Sequence, residues 1–367
     1  RNCQVRMKCR SQIHAEKVAI DIPSGISSFD GQVLGTAFHA DLTVSFACEK
    51  LGTVLFPGSD YAGEVIPVEI GIGTKLFEEN PEVCYTLEKS DLSKFLPDRK
   101  KNSHKGSYGK ILMITGSKGM SGAAYLSARA AYISGGGLVQ IYTEESNRTI
   151  LQQLLPEAIV STYTEYEEEK LQSLLKWADV ICIGCGLGKS RTAGQILSYL
   201  MKYAEVPCVI DADGLNLLAD HMELLPKEKK PFVLTPHMKE MAGLLGCTIP
   251  ELGKNRFAAL KEFTDSYGVV CALKDARTLV AGKDRQMFLN TAGNSAMAKA
   301  GSGDVLAGVI TGLLAQHMKV YEGTVLGVYL HACGGDAARE RRGAYSVLAE
   351  DLTEGIAACI KKTEKGR

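Results

Sequence analysis

Residues 290–315 read NTAGNSAMAKAGSGDVLAGVITGLLA, and this stretch is the most informative in the chain. Gly301, Ser302 and Gly303 form a flexible loop, Asp304 follows at once, and an apolar segment with helical spacing begins there. A glycine loop that leads into a helix start directs free backbone N–H groups at one point, which suits a phosphate. A carboxylate beside that point can take the proton of a hydroxyl group during phosphoryl transfer. An ordinary helix N-cap would show the same residues.

The composition is that of a globular protein, with 367 residues, 45% of them hydrophobic and 23% charged. Lys and Arg together equal Asp and Glu at 42 each, so bulk charge indicates no nucleic-acid partner. No apolar run approaches the ~18 residues that a membrane-spanning helix needs. The N-terminal residues RNCQVRMK are polar and basic, without a signal-peptide core. We therefore expect a cytoplasmic protein that binds neither nucleic acid nor membrane.

The cysteines indicate a reducing compartment. The chain has 11 of them, scattered and often within apolar runs, which is typical of small core residues rather than of a disulfide framework. Cys182-Ile-Gly-Cys185 has no second pair at zinc spacing and lies in a strand-like run, so we interpret it as structural. The seven His show no metal-binding spacing.

Hydrophobic patterning divides the chain into two blocks. In the first, Val18–Ile22, Leu42–Phe46 and Val65–Ile70 are candidate strands between glycine turns. A charged, proline-containing stretch follows from Glu78 to Lys105. We assign residues 1–85 to the first block, 86–102 to a linker and 103–367 to the second block.

The second block alternates strand runs with helical periodicity, which predicts βαβ units and a mostly parallel sheet with helices on both faces. The predicted strands are Ile111–Thr115, Val139–Tyr142, Val180–Gly184, Val206–Asp211, Phe232–Thr235 and Val269–Leu273. The predicted helices are Gly122–Ser134, Gly194–Tyr203, Val305–His317, Thr324–Arg341 and Leu348–Lys361. Ligands of such a sheet bind at loops beyond the carboxyl ends of the strands.

Several polar groups follow these strands. The run GCGLGKS at 184–190 fails both the P-loop and the G-x-G-x-x-G patterns, which leaves a glycine turn where a ligand could approach the backbone. Asp211 and Asp213 would share one side of a continuing strand and could hold Mg²⁺, or could form an Asx turn. His237 could bind a polar ligand and Lys274 a phosphate, although either could be an ordinary surface side chain.

In the first block, Asp21 lies within a predicted strand between apolar neighbours, in the run AIDIPSG at 19–25. A carboxylate buried there would need a partner or a ligand.

Taken together, the second block resembles the ADP/ATP-dependent NAD(P)H-hydrate dehydratase family. The resemblance runs from Ser103 to about Lys361. It rests on SHKGSYG at 103–109, GSKGMSGAA at 116–124, SGGGL at 134–138, GCGLG at 184–188, DADGLN at 211–216, LTPH at 234–237, and Gly293-Asn294 through GSGD at 301–304. The run VAIDIPSG at 18–25 resembles the end of the NAD(P)HX epimerase domain that precedes the dehydratase in the bifunctional form.

The resemblance implies a ribokinase-like fold, preceded by a partial Rossmann-like α/β segment. It implies a hydro-lyase that repairs hydrated NADH or NADPH, in which a nucleotide phosphorylates the hydroxyl and loss of phosphate restores the double bond. The expected co-substrate is ADP, or ATP, with Mg²⁺. Asp304 would be the catalytic base, and Ala123, Gly186, His237 and Asp304 would bind the hydrate. The nucleotide-binding positions would be Lys274, Asp275, Ala276, Arg277, Thr278, Gly301, Ser302 and Gly303.

Two departures from the family pattern bear on function. Position 275 is Asp where the family usually has Gly, which predicts a stiffer loop near the nucleotide. An intact epimerase domain carries an Asn-Asn-Gly-Gly-Asp loop and a second glycine-rich loop, and residues 1–16 contain neither. Asp21 would match a substrate ligand and Ser24 a K⁺ ligand of that domain. K⁺ is expected only if the epimerase segment were complete, and we predict no epimerase activity.

Two other functions stay open at this point. One is a small-molecule kinase of the hydroxymethylpyrimidine or thiazole type on the same fold. The other is an inactive nucleotide-binding partner of a separate epimerase, against which the retained Asp304 argues. We also expect a homo-oligomer.

Overall fold

The computed structural model describes residues 15–73, 75–78, 80, 83–225 and 230–365. The expectation of a basic polar N-terminus falls on residues 1–14 and lies outside them. The chain divides into two compact units, the first ending at Val83 and the second beginning at Cys84. Within the described residues no helix is both long and apolar enough to cross a membrane.

The first unit contains a three-stranded parallel sheet in the order β1-β2-β3. Its strands are β1 (Val18–Ile20), β2 (Leu42–Phe46) and β3 (Glu64–Val68), and short helices α1 (Leu51–Val54), α2 (Ser59–Ala62) and α3 (Lys75–Glu78) lie in the same unit. The first strand ends two residues earlier than predicted because Asp21 has φ of 66°, which breaks the extended backbone.

The second unit contains a nine-stranded sheet in the order β12-β11-β10-β9-β8-β7-β4-β5-β6. The strands are β4 (Lys110–Ile114), β5 (Leu138–Glu144), β6 (Ile159–Tyr163), β7 (Val180–Ile183), β8 (Cys208–Ile210), β9 (Phe232–Leu234), β10 (Val270–Leu273), β11 (Leu279–Gly282) and β12 (Phe288–Leu289). The seven strands from β6 to β10 pair in parallel, and only β11 and β12 are antiparallel. Every residue of β7 is buried, so both faces of the sheet are covered.

The predicted helices of the second unit are all present. The unit's helices are α4 (Leu92–Phe95), α5 (Ser121–Ile133), α6 (Arg148–Leu154), α7 (Glu168–Trp177), α8 (Arg191–Tyr203), α9 (Asp213–Ala219), α10 (Met238–Leu245), α11 (Ile249–Tyr267), α12 (Ser302–Ala315), α13 (Val320–Arg342) and α14 (Ala349–Lys365). Their ends follow ordinary capping chemistry: Ser190 caps α8 by accepting the N–H of Ala193 at 3.1 Å, and α11 runs from the Thr248 cap to left-handed Gly268.

Helix α12 is a central element of the second unit, because 11 of its residues are buried. It packs closely on α5 through two glycines. A Cβ atom on Gly308 would lie 2.1 Å from the carbonyl oxygen of Ser127, and one on Gly312 would lie 2.4 Å from that of Ala131. Only glycine allows this approach, which fixes the position of the helix and of its first turn.

The segment that the sequence predicts to be a linker, residues 86–102, lies within the second unit. Leu87 and Leu92 are buried in the hydrophobic core, and Tyr85 forms a bridge with Phe288 beside β12. A few widely spaced apolar side chains are enough to anchor a charged segment to a core. The charged composition of the segment therefore did not indicate that it belongs to the second unit.

Candidate active site

The centre of the second sheet is a topological switch point. From β4 the chain continues to β5 on one side, whereas β7 and β8 lie on the other. The loops after β4 and β7 are joined there, because Gly116 N–H donates to Cys185 O at 2.9 Å and Ser117 N–H donates to Gly186 O at 2.6 Å. Such a crevice at the carboxyl edge is where open α/β sheets bind ligands.

Helix α12 begins at this edge with the loop that the sequence analysis singled out. Gly301 is its N-cap, with φ of 88°, and no side chain of the described residues caps it. The N–H of Ser302 already donates to Lys299 O at 3.3 Å, so Gly303 and Asp304 supply the N–H groups of the first turn that could meet an anion, and the helix dipole adds to the attraction. Asp304 lies in this first turn.

Asp304 has the properties of a general base. Burial raises the pKa of its carboxyl group to about 6, and the negative charge of Asp211 adds to the shift, while a hydrogen bond from Cys185 and the charge of Lys274 oppose it. The group is still ionised at neutral pH, and it is a stronger base there than an ordinary aspartate. A perturbed carboxylate in a cleft is typical of an active site.

Lys274 places a positive charge against the same helix start. Its Nζ lies 2.6 Å from Oδ1 of Asp211, and a Cβ atom on Gly303 would lie 3.5 Å from that Nζ. Although burial opposes the charge, Asp211 and Glu240 raise the pKa of Lys274, so its amine stays an ammonium ion. Asp304, Gly303, Asp211 and Lys274 are thus brought together, as the motif positions led us to expect.

His237 follows β9 and caps helix α10. Its Nδ1 accepts the N–H groups of Lys239 and Glu240, each at 3.1 Å, so the proton of the neutral ring lies on Nε2. In return, Oε2 of Glu240 accepts the N–H of His237 at 2.8 Å. The His237 side chain is 50% exposed, which leaves the ring accessible to a ligand.

Two of the expected hydrate-binding residues, Gly186 and Ala123, lie against each other. Gly186 has φ of 61°, and a Cβ atom added there would lie 2.8 Å from Cβ of Ala123. The small residues at these two positions therefore allow the loop after β7 to approach α5 closely.

The loop between β10 and β11 contains residues 274–278 and has polar anchors on both sides. Oδ2 of Asp275 accepts a hydrogen bond from Arg256 at 3.0 Å, and Arg277 donates to the carbonyl oxygen of Thr291 at 2.6 Å. Asp275 thus forms an ion pair that a glycine could not form, and the stiffer loop stays a prediction.

The expected Mg²⁺ site near Asp211 and Asp213 depends on a strand that continues through both residues. Strand β8 ends at Ile210, and Ala212 has φ of 47°, so the two carboxylates diverge. Oδ1 of Asp211 binds Lys274, and Oδ2 of Asp213 accepts the N–H of Gly188 at 2.8 Å. No group of three or more His, Cys, Asp or Glu side chains in the described part of the chain could hold a metal ion.

The residues expected to be remnants of an epimerase site belong to the first unit. Asp21 lies beyond the end of β1 rather than within a strand, and its side chain is 39% exposed. Its Oδ1 accepts hydrogen bonds from Lys50 Nζ and from the N–H of Phe46, so its partner comes from the chain itself. The carbonyl oxygen of Ser24 accepts the N–H of Phe38 at 2.9 Å.

Two residues at the edge of the site were missed by sequence reasoning. Glu240 lies three positions after His237, which is the spacing of a capping box. This spacing could have identified Glu240 from the sequence. His331 lies in the middle of α13, and its Nε2 is 3.3 Å from Oγ of Ser302. Burial lowers the pKa of His331 to about 4, which keeps the ring neutral. Nothing local in the sequence links His331 to that loop.

Comparison with known proteins identifies the families to which the two parts of the chain are similar. Residues 111–358 match the family described as NAD(P)H-hydrate dehydratase, and residues 4–52 match the family described as YjeF-related protein N-terminus. The bifunctional NAD(P)H-hydrate repair enzyme of Moorella thermoacetica is 36% identical over 363 residues, which are 97% of this chain and 68% of that protein. The ADP-dependent (S)-NAD(P)H-hydrate dehydratase of Neisseria meningitidis serogroup B is 38% identical over 260 residues, which are 69% of this chain and 86% of that protein.

Solved structures resemble about three quarters of the chain. A ribokinase-like superfamily protein from Enterococcus faecalis has a TM-score of 0.69 at 31% identity, over 76% of this chain and 95% of its own. The ADP/ATP-dependent NAD(P)H-hydrate dehydratase of Bacillus subtilis, co-crystallised with ATP and Mg²⁺, has a TM-score of 0.64 at 29% identity, over 75% of this chain and 97% of its own. The ribokinase-like fold predicted from the sequence is therefore confirmed.

The chain spans about two thirds of the length of the bifunctional relatives that it matches. The family match covers more than half of the chain, from the first buried strand to the last helix. The family expected from the motifs is thus confirmed: this chain belongs to the NAD(P)H-hydrate dehydratase family.

Proposed function

We propose that this protein dehydrates (S)-NAD(P)H hydrate back to NAD(P)H, with a nucleotide as phosphoryl donor. The observation that carries the proposal is the arrangement at the start of α12. A buried carboxylate with a raised pKa, Asp304, lies in the first turn of a helix with an uncapped N-terminus, and Lys274 lies beside that turn. A base, an anion site and a positive charge are what phosphoryl transfer to an alcohol requires.

In this mechanism Asp304 takes the proton of the hydrate's hydroxyl group as its oxygen attacks the terminal phosphorus of the nucleotide. The bond from that phosphorus to the nucleotide's bridging oxygen breaks, and the shortened nucleotide leaves with the electron pair. The N–H groups of Gly303 and Asp304 in the first turn of α12 and the ammonium of Lys274 stabilise the charge on the transferred group. The carbon–oxygen bond to the phosphoryl group then breaks and phosphate leaves with the electron pair. The neighbouring ring carbon loses a proton to solvent, and the electrons of that C–H bond restore the double bond of the ring.

The hydrate would lie along Ala123, Gly186 and His237. The Nε2–H of His237 would donate a hydrogen bond to the hydrate, because Nδ1 is already an acceptor for two backbone N–H groups. This hydrogen bond would replace the contact of Nε2 with Oε1 of Glu240 at 3.4 Å. The nucleotide would lie along the 274–278 loop and the Gly301–Gly303 turn. We propose ADP as the donor, because the Neisseria relative, which is similar to this chain over 260 residues, is named ADP-dependent. Mg²⁺ would arrive with the nucleotide, whose phosphates are its usual ligands.

The test follows NADH absorbance after the protein is added to purified (S)-NADH hydrate with Mg²⁺ and either ADP or ATP. We expect recovery of NADH that requires nucleotide, is faster with ADP, and is lost in Asp304→Asn. No recovery from folded protein with either nucleotide would contradict the proposal. Accumulation of a stable phosphorylated product would instead indicate a kinase, and nucleotide binding without turnover an inactive partner.

Three further expectations stay predictions. Assembly into a homo-oligomer is tested by sedimentation of the purified chain. A cytoplasmic location is tested by cell fractionation, and the free thiols of the nine described cysteines agree with a reducing compartment. The absence of epimerase activity is tested by incubating the chain with (R)-NADH hydrate alone and measuring the amount of the (S) form.

A further inference from the structure

The mechanism above gives no role to Asp211, a buried carboxylate beside the candidate anion site. The side chain of Asp211 is 2% exposed, and its Oδ1 lies 2.6 Å from Nζ of Lys274. Its other oxygen, Oδ2, faces the anion loop, because a Cβ atom on Gly303 would lie 3.6 Å from it. Asp211 therefore lies directly behind the positive charge that would meet the transferred phosphoryl group.

The backbone of Asp211 is anchored, and its short side chain has less rotamer freedom than that of Lys274. Its N–H donates to Ile183 O at 3.0 Å and its carbonyl oxygen accepts the N–H of Gly214 at 2.9 Å, at the carboxyl end of β8 near the middle of the sheet. A lysine side chain, in contrast, carries its charge on a flexible four-carbon stem and loses rotamer freedom when it is fixed. A fixed carboxylate at 2.6 Å removes that freedom before a ligand binds.

Glu240 lies on another side of the Lys274 ammonium group and restricts its movement. Its Oε2 is 4.0 Å from Nζ of Lys274, and the Glu240 side chain is 8% exposed. Burial of so many charges is a poor route to stability, because the desolvation cost of a buried pair roughly cancels its attraction. Charges kept at such a cost beside the candidate anion site favour a functional role.

We propose that Asp211 is a positioning residue for phosphoryl transfer, which holds the ammonium of Lys274 beside Gly303 without itself binding nucleotide or metal. This inference rests on the proposed function. It differs from the Mg²⁺ site expected from the sequence, in which Asp211 would contact the ion directly.

The first test is Asp211→Asn, which retains the side chain's size and removes its charge. Lys274 stays positive but is no longer fixed, and a displacement of about 1 Å near a reacting group costs on the order of 100-fold in rate. We therefore expect kcat to fall about 100-fold, while KM for ADP and calorimetric ADP affinity change by less than about threefold. Asp211→Glu, which restores the charge, should recover part of kcat.

A second test places the same change in a Lys274→Met background. If Asp211 acts through Lys274, the double variant is no slower than Lys274→Met alone. An additional loss in the double variant, together with a higher Mg²⁺ concentration for half-maximal rate, would overturn the proposal and make Asp211 a metal ligand. A raised KM for ADP with unchanged kcat would overturn it as well.

The matched control is Asp351→Asn, at a second buried carboxylate, which is paired with Arg341 and Arg342 at 3.0 Å outside the site. This variant should lower Tm and leave kcat per folded molecule unchanged. If Asp211→Asn behaves in the same way, Asp211 is only structural and the inference is wrong. Recovery of NADH by the wild type is measured in every experiment. If the wild type recovers no NADH, the proposed function fails, and this outcome is distinct from a failure of the inference about Asp211.

Discussion

Each unit of this molecule contains an aspartate–lysine pair just beyond the carboxyl end of a parallel strand. In the first unit the side chains of Asp21 and Lys50 are 39% and 23% exposed, and their partners are backbone groups of the same small sheet. In the second unit Asp211 is 2% and Lys274 20% exposed, and the pair faces a helix start and a third charge, Asp304.

The difference shows that the surroundings of an ion pair decide what it can do. Solvent screens the first pair, so its charges have little effect beyond their own contact. Around the second pair water is largely excluded, and there the charge of Asp211 raises the pKa of both Asp304 and Lys274. The following predictions test this contrast, and the largest effect comes first.

Asp304→Asn is expected to reduce the dehydration rate by about 10³-fold or more, because removal of a general base costs up to ~10⁴-fold. In the wild type, the rate measured as kcat/KM should fall as pH decreases through about 6, where the carboxylate becomes protonated. A kcat/KM that does not change between pH 5 and 8 would show that Asp304 is not the general base. The contrast between the surroundings of the two ion pairs would then be smaller.

The same variant should be more stable than the wild type at neutral pH. The pKa of Asp304 is raised on folding, so its ionised form opposes folding above the ordinary aspartate pKa of about 3.9, and fully so above about pH 6. Replacement by Asn removes this cost. We expect Tm at pH 7.5 to rise by a few degrees, and the gain should be absent near pH 3.

Gly308→Ala should destabilise the second unit by about 1–3 kcal/mol through overpacking against α5. The added Cβ would lie 2.1 Å from Ser127 O, so α12 must move. The dehydration rate should fall with it, because the anion loop starts the same helix. Gly253→Ala, where an added Cβ meets nothing within 4 Å, is the control; equal losses of Tm in both variants would contradict the packing argument.

His237→Asn is expected to raise KM for the hydrate about tenfold, since one hydrogen bond to a bound ligand is worth roughly 1–1.5 kcal/mol. Asparagine is a good N-cap, so α10 should retain its start and Tm should change little. An unchanged KM would place the hydrate elsewhere, whereas a large fall in Tm would mean that the cap was not preserved.

Asp21→Asn should have the smallest effect. The hydrogen bond from Lys50 lowers the pKa of Asp21, so the pair stabilises the folded state at neutral pH and this contribution is lost as pH falls through that pKa. Because the pair is half exposed, we expect a change below about 1 kcal/mol. The NADH recovery rate should remain within twofold; a tenfold loss would show that the first unit affects the chemistry of the second.

The sequence was informative where chemistry and periodicity are local. The glycine loop, Asp304 and the strands that precede Asp211 and His237 could all be recognised from runs of a few residues. Strand β6, the β11–β12 hairpin and helices α6, α7, α9, α10 and α11 were missed, because short edge strands and interrupted amphipathic runs give weak patterns.

The contacts between loops could not be predicted, because they depend on which strands are neighbours. Asp211 and Lys274 are 63 positions apart, yet the order β8-β9-β10 brings their loops to one edge. The divergence of Asp211 and Asp213 depends on the backbone at Ala212, where a non-glycine residue adopts a positive φ. His331 reaches Ser302 only because α13 lies against α12.

The site loops lie far apart along the chain, and this has a consequence during synthesis. A ribosome releases the loops at 116–117 and 184–188 long before it releases Gly301–Asp304, and the helix that carries those last residues lies at the centre of its unit. A nascent chain therefore has no complete anion site until most of the second unit has emerged. Recovered NADH would then serve as a reporter of complete folding in cell-free translation, where truncated products are silent.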